Sequence, residues 1–270
     1  MGSNRGVHVR FLEEPHLFPN SSYLEEGYFK TYFGAGFASD PSICAFGWEP
    51  NPAHAPRLVR LGRLYRAGGK RVEFFLAGAA TTAGVVTMYN HRDDDLASDW
   101  RFGTKRLSHR PINVSTVDLA AFVRDEIVGR TIPPTSSASA TPPSVVMKLD
   151  VEGDELVLLE RFMAIQTLCS IDLITWELHK AQLPAKELRF ASHAQLWDFI
   201  LPRQALADEE AIQRPRFAKL REEWERRRDS PAPQSSTEQA SHGAGCRTRF
   251  VARDDESYLM VPNVPRRAWE

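Results

Sequence analysis

Acidic residues follow directly after two apolar, strand-like segments of the chain. Glu49 comes after the run 42–48, whereas Asp150 and Glu152 come after the run 144–149. A carboxylate accepts several hydrogen bonds, so Glu49 at a strand end could hold the two neighbouring hydroxyls of a ribose. Asp150 and Glu152 stand where a sheet presents side chains to a bound ligand. These positions predict a nucleotide-like ligand at the carboxyl ends of parallel strands.

Helix capping is the alternative interpretation of the same turns. Asn51 lies in a proline-flanked turn and could cap the helix that follows it. Asp154 and Glu155 precede an apolar helix, where negative charge complements the positive end of the helix dipole. Taken singly, the turns that contain Glu49 and Asp150 remain open to either interpretation.

A glycine-containing segment opens the chain. Gly2, Asn4 and Gly6 alternate with Ser3 and Arg5. Glycine lets a backbone turn tightly and approach a ligand closely. Short Gly/Ser/Asn segments also occur at chain ends with no ligand, so this one predicts a cofactor loop only in combination with the two acidic turns.

Three residues at strand ends are candidate general bases, namely Glu152, Glu177 and His179. An imidazole has the pKa best suited to proton transfer near neutral pH, although a single histidine after a strand often has only a structural role. The acidic runs 93–95 and 254–256 have the character of solvated loops, and no metal site is predicted.

The elements that position these residues alternate between strand and helix, which predicts βαβ units and a parallel sheet with helices on both faces. In chain order, the sequence predicts strand 42–48, helix 55–67, strands 71–80, 84–90 and 112–116, helix 118–128, strand 144–149, helix 156–168, strand 170–178 and helix 192–200.

We expect a single domain over 1–270 with its core in 1–180. The remaining segments are predicted to be a low-complexity insertion at 131–143, a charged helix (208–228) and mobile loop within 204–245, and a terminal hairpin within 246–262.

The net charge of −1 argues against a nucleic-acid partner bound through bulk charge. No apolar run reaches the length of a membrane-spanning helix, and a cytoplasmic location is the default expectation. The three cysteines have no metal-binding or disulfide spacing, so Cys44 and Cys169 are predicted to be small buried apolar side chains. The oligomeric state is left open.

Taken together and in order, these segments resemble the FkbM family of methyltransferases. The matching segments are Gly2-Ser3-Asn4-Arg5-Gly6, Trp48-Glu49-Pro50-Asn51-Pro52, Gly78-Ala79-Ala80-Thr81, Asn113-Val114-Ser115-Thr116-Val117-Asp118-Leu119, Lys148-Leu149-Asp150-Val151-Glu152-Gly153-Asp154-Glu155 and Trp176-Glu177-Leu178-His179. The segment that begins at Lys148 is the most specific, and the glycine segment is the least.

The resemblance implies an α/β fold, the Rossmann-like class I methyltransferase sheet, with S-adenosylmethionine as cofactor. It implies methyl transfer to a hydroxyl oxygen of a small-molecule acceptor such as a sugar or other glycan. The cofactor contacts that it implies are Gly2, Asn4 and Gly6 at the methionine end, Glu49 with neighbouring Asn51 at the ribose, Ala79 at the adenine and Asp150 near the sulfonium or the acceptor.

The chain departs from the family at its start, where Met1 stands in place of an acidic residue and no strand precedes it. The first strand of the sheet is therefore expected to be missing, and a longer form of the protein or a later segment would have to supply it. Two other functions remain open: a non-catalytic binding or scaffold protein with this fold, and a different nucleotide-binding enzyme such as a dehydrogenase.

Overall fold

The computed structural model describes residue 3 and residues 5–90, 102–103, 111–128, 143–177, 188–189 and 248–252. It is a mixed α/β structure with three small sheets. The helices are α1 (Val7–Glu13), α2 (Ser22–Glu25), α3 (Tyr28–Phe33), α4 (Ala55–Ala67), α5 (Leu119–Phe122) and α6 (Glu155–Ala164). The strands are β1 (Cys44–Trp48), β2 (Arg71–Phe75), β3 (Gly78–Ala80), β4 (Gly84–Asn90), β5 (Phe102–Gly103), β6 (Pro111–Asp118), β7 (Val146–Leu149), β8 (Leu173–Trp176), β9 (Leu188–Arg189) and β10 (Arg249–Ala252).

Two of the sheets are built on βαβ units, as the sequence predicts. Strands β1 and β2 are parallel and flank α4, with Cys44 opposite Arg71 and Trp48 opposite Phe75. Strands β7 and β8 are parallel and flank α6, and β10 continues this sheet in parallel with β8. Strand β9 closes that sheet in the antiparallel direction. The third sheet has the order β3-β6-β4-β5 and is mixed.

Two apolar clusters cover opposite faces of the first two sheets. Successive side chains of a strand point to opposite faces, and β1, β2, β7, β8 and β10 each contribute to both clusters. The first cluster joins Trp48, Met147, Leu149, Trp176 and Phe250 to α5 and α6 through Leu119, Leu159 and Phe162. The second joins Ala45, Leu173 and Val251 to the N-terminal helices through Phe11, Phe18, Tyr23 and Phe29. The β1–β2 sheet and the β7–β8–β10–β9 sheet therefore share a core on each face.

Some predicted boundaries are wrong. The predicted strand 71–80 is divided into β2 and β3, because the chain bends at Leu76–Ala77 to bring Gly78 beside Thr116. The predicted helix 156–168 ends at Ala164, two residues before Gln166 takes a left-handed conformation with φ of 60°. The predicted helix 118–128 is one α-helical turn, α5, followed by a π-helical turn over Val123–Ile127.

Several predictions lie wholly or partly outside the described residues. These are the insertion 131–143 apart from Pro143, the helix 192–200, the charged helix and loop within 204–245, and most of the hairpin 246–262. Of that hairpin the structure describes 248–252, where β10 pairs with β8 and β9.

The prediction that Cys169 is buried and apolar is wrong. Cys169 is exposed and forms a disulfide bond, whereas Cys44 is a partly buried free thiol. Within the described residues, every helix is too short or too polar to cross a membrane, and no three metal-ligating side chains come together.

Candidate functional site

The turn after β1 holds Glu49 and Asn51 inside the protein. The Glu49 amide continues the β1–β2 ladder by donating to the Phe75 carbonyl at 3.0 Å. The Glu49 Oε1 atom accepts from the Asn51 amide at 2.9 Å, and Asn51 Oδ1 accepts from the Ala53 amide at 3.0 Å. Asn51 therefore caps the short helical turn Pro52–His54, as its alternative interpretation proposed. A ribose bound here would share the Glu49 carboxylate with the turn.

The side chains of this turn are buried in the protein. The exposed fractions are 5% for Glu49 and 0% for Asn51. His54, also buried, places Nδ1 3.5 Å from Glu49 Oε1. A carboxylate in such a position needs hydrogen-bond donors, because an ion in a low-dielectric interior is costly. The turn amide supplies one of these donors.

The glycine segment lies against the end of β1. Gly2 and Asn4 are outside the described residues. The Ser3 amide donates to the Trp48 carbonyl at 2.9 Å, and the Gly6 amide donates to the Ser3 carbonyl at 2.7 Å. Gly6 begins α1 in a left-handed conformation, and a Cβ placed on it would lie 2.8 Å from Leu61 Cδ2 of α4. The structure therefore gives Gly6 a helix-packing role, whatever else the segment does.

The turn after β7 carries the other acidic candidates. Asp150 Oδ2 lies 2.5 Å from Lys148 Nζ, and both side chains are largely buried. Glu152 has a φ of 57°, an uncommon conformation for a residue other than glycine. Backbone strain of this kind costs on the order of 1 kcal/mol or more and concentrates at functional sites, so Glu152 remains a candidate.

Glu155 serves the turn itself. Its side chain is 1% exposed, and Oε1 accepts from the Val151 amide at 3.1 Å and from the Gly153 amide at 3.0 Å. Both amides belong to the turn between β7 and α6, so the carboxylate closes the loop that carries Asp150 and Glu152. This agrees with the structural interpretation of Glu155.

Strand β3 lies beside the β1 turn. A Cβ placed on Gly78 would lie 3.8 Å from Pro50 Cβ, and Ala79 packs against the apolar cluster that contains Trp48. The predicted adenine-flanking segment and the predicted ribose-binding residue are thus neighbours.

Glu177 lies at the end of β8, beside the end of β7. Its amide donates to the Leu149 carbonyl at 3.0 Å, which puts its backbone next to the residue that precedes Asp150. His179, the third candidate base, is outside the described residues.

A cavity of about 260 Å³ separates β1 from β7. Ser3, Trp48 and Lys148 line it, so the glycine segment and the two strands that lead into the acidic turns border the same cavity. This convergence joins three segments that are far apart in the sequence.

His8 lines the cavity and was not identified from the sequence. Burial, with the nearby positive charge of Lys148, lowers the pKa of His8 well below its usual value of 6.5. His8 is therefore a neutral ring, packed edge-on against Phe11 and Tyr23. Only recognition of α1 could have pointed to it, because its neighbours in sequence form no motif.

Comparison with protein-family models, with curated proteins and with solved structures finds no match to this chain.

Proposed function

We propose that this protein is an S-adenosylmethionine-dependent methyltransferase with a Rossmann-like sheet, acting on a hydroxyl oxygen of a sugar or other small molecule. The observation that carries the proposal is that Ser3, Trp48 and Lys148 line one cavity. Glu49 directly follows Trp48, and Asp150 forms an ion pair with Lys148, so each carboxylate neighbours a residue that lines the cavity.

The charges beside this cavity are compatible with the cofactor. S-adenosylmethionine carries a carboxylate, an ammonium and a sulfonium, and the ion pair of Lys148 and Asp150 contains one charge of each sign. Glu49 offers a buried carboxylate to ribose hydroxyls, and Ala79 offers an apolar surface to an adenine ring. The residues present fit the group in charge and polarity.

The protein would contribute alignment and proton removal. When bound, the cofactor supplies an electrophilic methyl group, so the site mainly has to hold the acceptor oxygen in line with it. Glu152, Glu177 or His179 would remove the hydroxyl proton, since each lies within three residues of the end of β7 or β8.

The hydrogen bonds of the β1 turn favour one alternative, a non-catalytic protein that keeps this fold as a binding module. Glu49 Oε1 and Asn51 Oδ1 already accept from the turn's own backbone. Residues used in this way could persist for stability alone.

Calorimetric titration of S-adenosylhomocysteine distinguishes the two functions. We expect the unsubstituted chain to bind, and we expect Glu49→Gln and Asp150→Asn each to weaken binding by about tenfold or more, since a hydrogen bond to a charged group is worth roughly 1.5–3 kcal/mol. Glu73→Gln and Asp125→Asn are matched controls, because both carboxylates are exposed and pair with surface arginines.

Binding that survives both site substitutions would contradict the assigned roles. A folded chain that binds no S-adenosylhomocysteine, with or without an added N-terminal strand, would contradict the methyltransferase and favour the binding module. A parallel titration with a nicotinamide dinucleotide tests the dehydrogenase alternative.

A further inference from the structure

Helix α4 has one side that takes no part in the core. The helix buries a stripe of residues at intervals of three to four, namely Leu58, Gly62 and Tyr65. The opposite side has the same kind of spacing and consists of exposed residues, which are Arg60, Arg63, Leu64 and Ala67. These four residues are the outer face of α4.

The charge of α4 is entirely positive. The segment 55–67 contains arginines at positions 57, 60, 63 and 66 and no acidic residue, although the whole chain has 34 basic and 35 acidic residues. Arg66 pairs with Glu73 at 2.6 Å. Arg60 and Arg63, by contrast, have no acidic partner within ion-pair distance among the described residues. A chain of balanced composition thus concentrates uncompensated positive charge on one helix face.

These arginines do not stabilise the helix that carries them. Arg60 lies three residues from both Arg57 and Arg63, and like charges at this spacing repel one another. Arg57 lies at the positive end of the helix dipole, in a first turn that has no acidic residue. Burial first, and then neighbouring positive charges that include Arg10 and Arg60, lower the pKa of Arg57 to about 10. The concentration of charge opposes folding, which favours a role outside the fold.

Aliphatic side chains stand among these charges. Leu64 is 59% exposed, and Val59 is 40% exposed. Leu64 follows Arg60 by four residues, and Val59 precedes Arg63 by four, so each aliphatic side chain lies beside an arginine on the helix surface. An exposed leucine adds nothing to a purely electrostatic contact. The composition therefore indicates a partner that has both negative charge and an apolar region.

We propose that the outer face of α4 binds the surface of a membrane that contains anionic phospholipids. Arg60 and Arg63 would bind the negatively charged headgroups, and Leu64 would enter the boundary between headgroups and acyl chains, with Val59 beside it. The stem of an arginine lies along apolar surface while its guanidinium stays at the headgroups. The inference does not depend on the proposed function.

Composition and shape favour a membrane over other polyanions. A nucleic acid bound through its phosphates makes no use of an exposed leucine, and single strands are held largely by aromatic side chains. Tyr65, the aromatic residue of α4, is buried. An acidic protein would need a groove to enclose the face, because the outer side of a single helix is convex. A membrane surface meets such a face without a preformed groove.

Vesicle sedimentation tests the proposal on the unsubstituted chain. One set of vesicles contains phosphatidylcholine with about 30% phosphatidylserine, and the other contains phosphatidylcholine alone. We expect binding to the first set and not to the second. Raising the NaCl concentration from about 0.05 M to about 0.5 M should weaken binding by about tenfold or more, because salt screens the charges of an exposed surface.

Substitutions on the outer face locate the contact. Arg60→Gln and Arg63→Gln should each weaken binding to the anionic vesicles by about fivefold, which is the contribution of one basic side chain near such a surface. Leu64→Ser should weaken it by about threefold or more, because an apolar side chain no longer leaves water on binding.

Matched controls and a stability measurement separate binding from folding. Arg66→Gln, at the arginine that pairs with Glu73, and Val85→Ser, at a valine that is 71% exposed on β4, should leave binding unchanged. The variant with both Arg60→Gln and Arg63→Gln should unfold at the same urea concentration as the unsubstituted chain or at a higher one, since repulsion between like charges is removed.

Equal binding to the two sets of vesicles, or binding to neither, would overturn the proposal. Binding that survives Arg60→Gln and Arg63→Gln unchanged would overturn it as well, and so would a double variant that unfolds at a clearly lower urea concentration, because the arginines would then serve the fold. Poly-glutamate and duplex DNA are the remaining probes. Binding of either one through Arg60 and Arg63, without binding to vesicles, would assign the outer face of α4 to an acidic protein or to a nucleic acid instead.

Discussion

Replacement of Gly6 by alanine separates the two roles that this glycine combines. Gly6 has a φ of 79°, and the Cβ of an alanine would lie 2.8 Å from Leu61 Cδ2 and 3.2 Å from Phe74 Cζ. The left-handed conformation costs an alanine about 1–2 kcal/mol. Forcing a methyl group into a packed interface costs a further 1–3 kcal/mol, approximately. We therefore expect Gly6→Ala to lower the free energy of unfolding by roughly 2–5 kcal/mol.

Gly27→Ala is the matched control. Gly27 also precedes a helix in a left-handed conformation, with a φ of 69°, but nothing lies within 4 Å of its added Cβ. It should lose only the conformational contribution of about 1–2 kcal/mol. Urea unfolding measures both variants, and a constant m-value would show that the denatured state is unchanged.

The packing argument also predicts a rescue. Leu61→Ala in the Gly6→Ala background removes the closest contact, so the double variant should be more stable than the sum of the single losses implies. Equal losses in Gly6→Ala and Gly27→Ala, or strictly additive effects with Leu61→Ala, would refute the helix-packing role.

Three further predictions follow from buried polar groups and cysteines. Glu155→Ala should lower the free energy of unfolding by roughly 2–4 kcal/mol, because the turn loses two hydrogen bonds. Urea unfolding measures this loss, with Glu126→Ala at an exposed position as the control. An equal loss in the two variants would contradict the role of Glu155 in the turn. Because burial lowers the pKa of His8, folding disfavours its protonated form, so the stability that neutral His8 provides should be complete above pH 6.5 and decline as the pH falls below that value. His8→Gln should reduce this decline in the urea midpoint between about pH 7.5 and 5.5, whereas His16→Gln, at an exposed site, should not. Thiol titration in denaturant should find one reactive cysteine without reductant and three after reduction, and three before reduction would exclude the disulfide at Cys169.

Local sequence patterns predicted those elements that begin or end at residues with strong conformational preferences, such as proline and glycine, or that alternate clearly between buried and exposed residues. Helix α4 begins after a proline-rich turn and ends at Gly68-Gly69, and its predicted bounds are those observed. The alternation of Val86 and Met88 with exposed Val85 placed β4 equally well. Such boundaries depend on the preferences of a few adjacent residues, which a sequence displays directly.

Elements stabilised by distant contacts were missed. Helices α1–α3 contain only seven, four and six residues, too few for a clear helical period, and their aromatic side chains are buried against strands much later in the chain. The bend before Gly78 depends on pairing with Thr116, which is 38 positions later in the chain. None of these has a local pattern.

The candidate site was predicted in part. The acidic turns fall at strand ends as expected, because the positions of Glu49 and Asp150 follow from where apolar runs stop. The role of each acidic side chain in the turn after β7 was harder to predict. Asp150 pairs with Lys148, whereas the Glu155 carboxylate accepts hydrogen bonds from backbone amides of the turn. These choices depend on side-chain rotamers inside a closed loop.

Contacts between the N-terminal helices and the last strands make folding depend on nearly the whole chain. Tyr23 Oη lies 2.5 Å from Thr175 Oγ1 across 152 positions, and Phe29 shares its cluster with Val251. A ribosome adds about 5–20 residues per second, so roughly 10–45 s separate the synthesis of Phe29 from that of Val251. During that interval the aromatic side chains of α1–α3 have no completed surface to cover them. We therefore expect the nascent chain to need chaperone protection, and to aggregate when the protein is synthesised faster than chaperones can bind it.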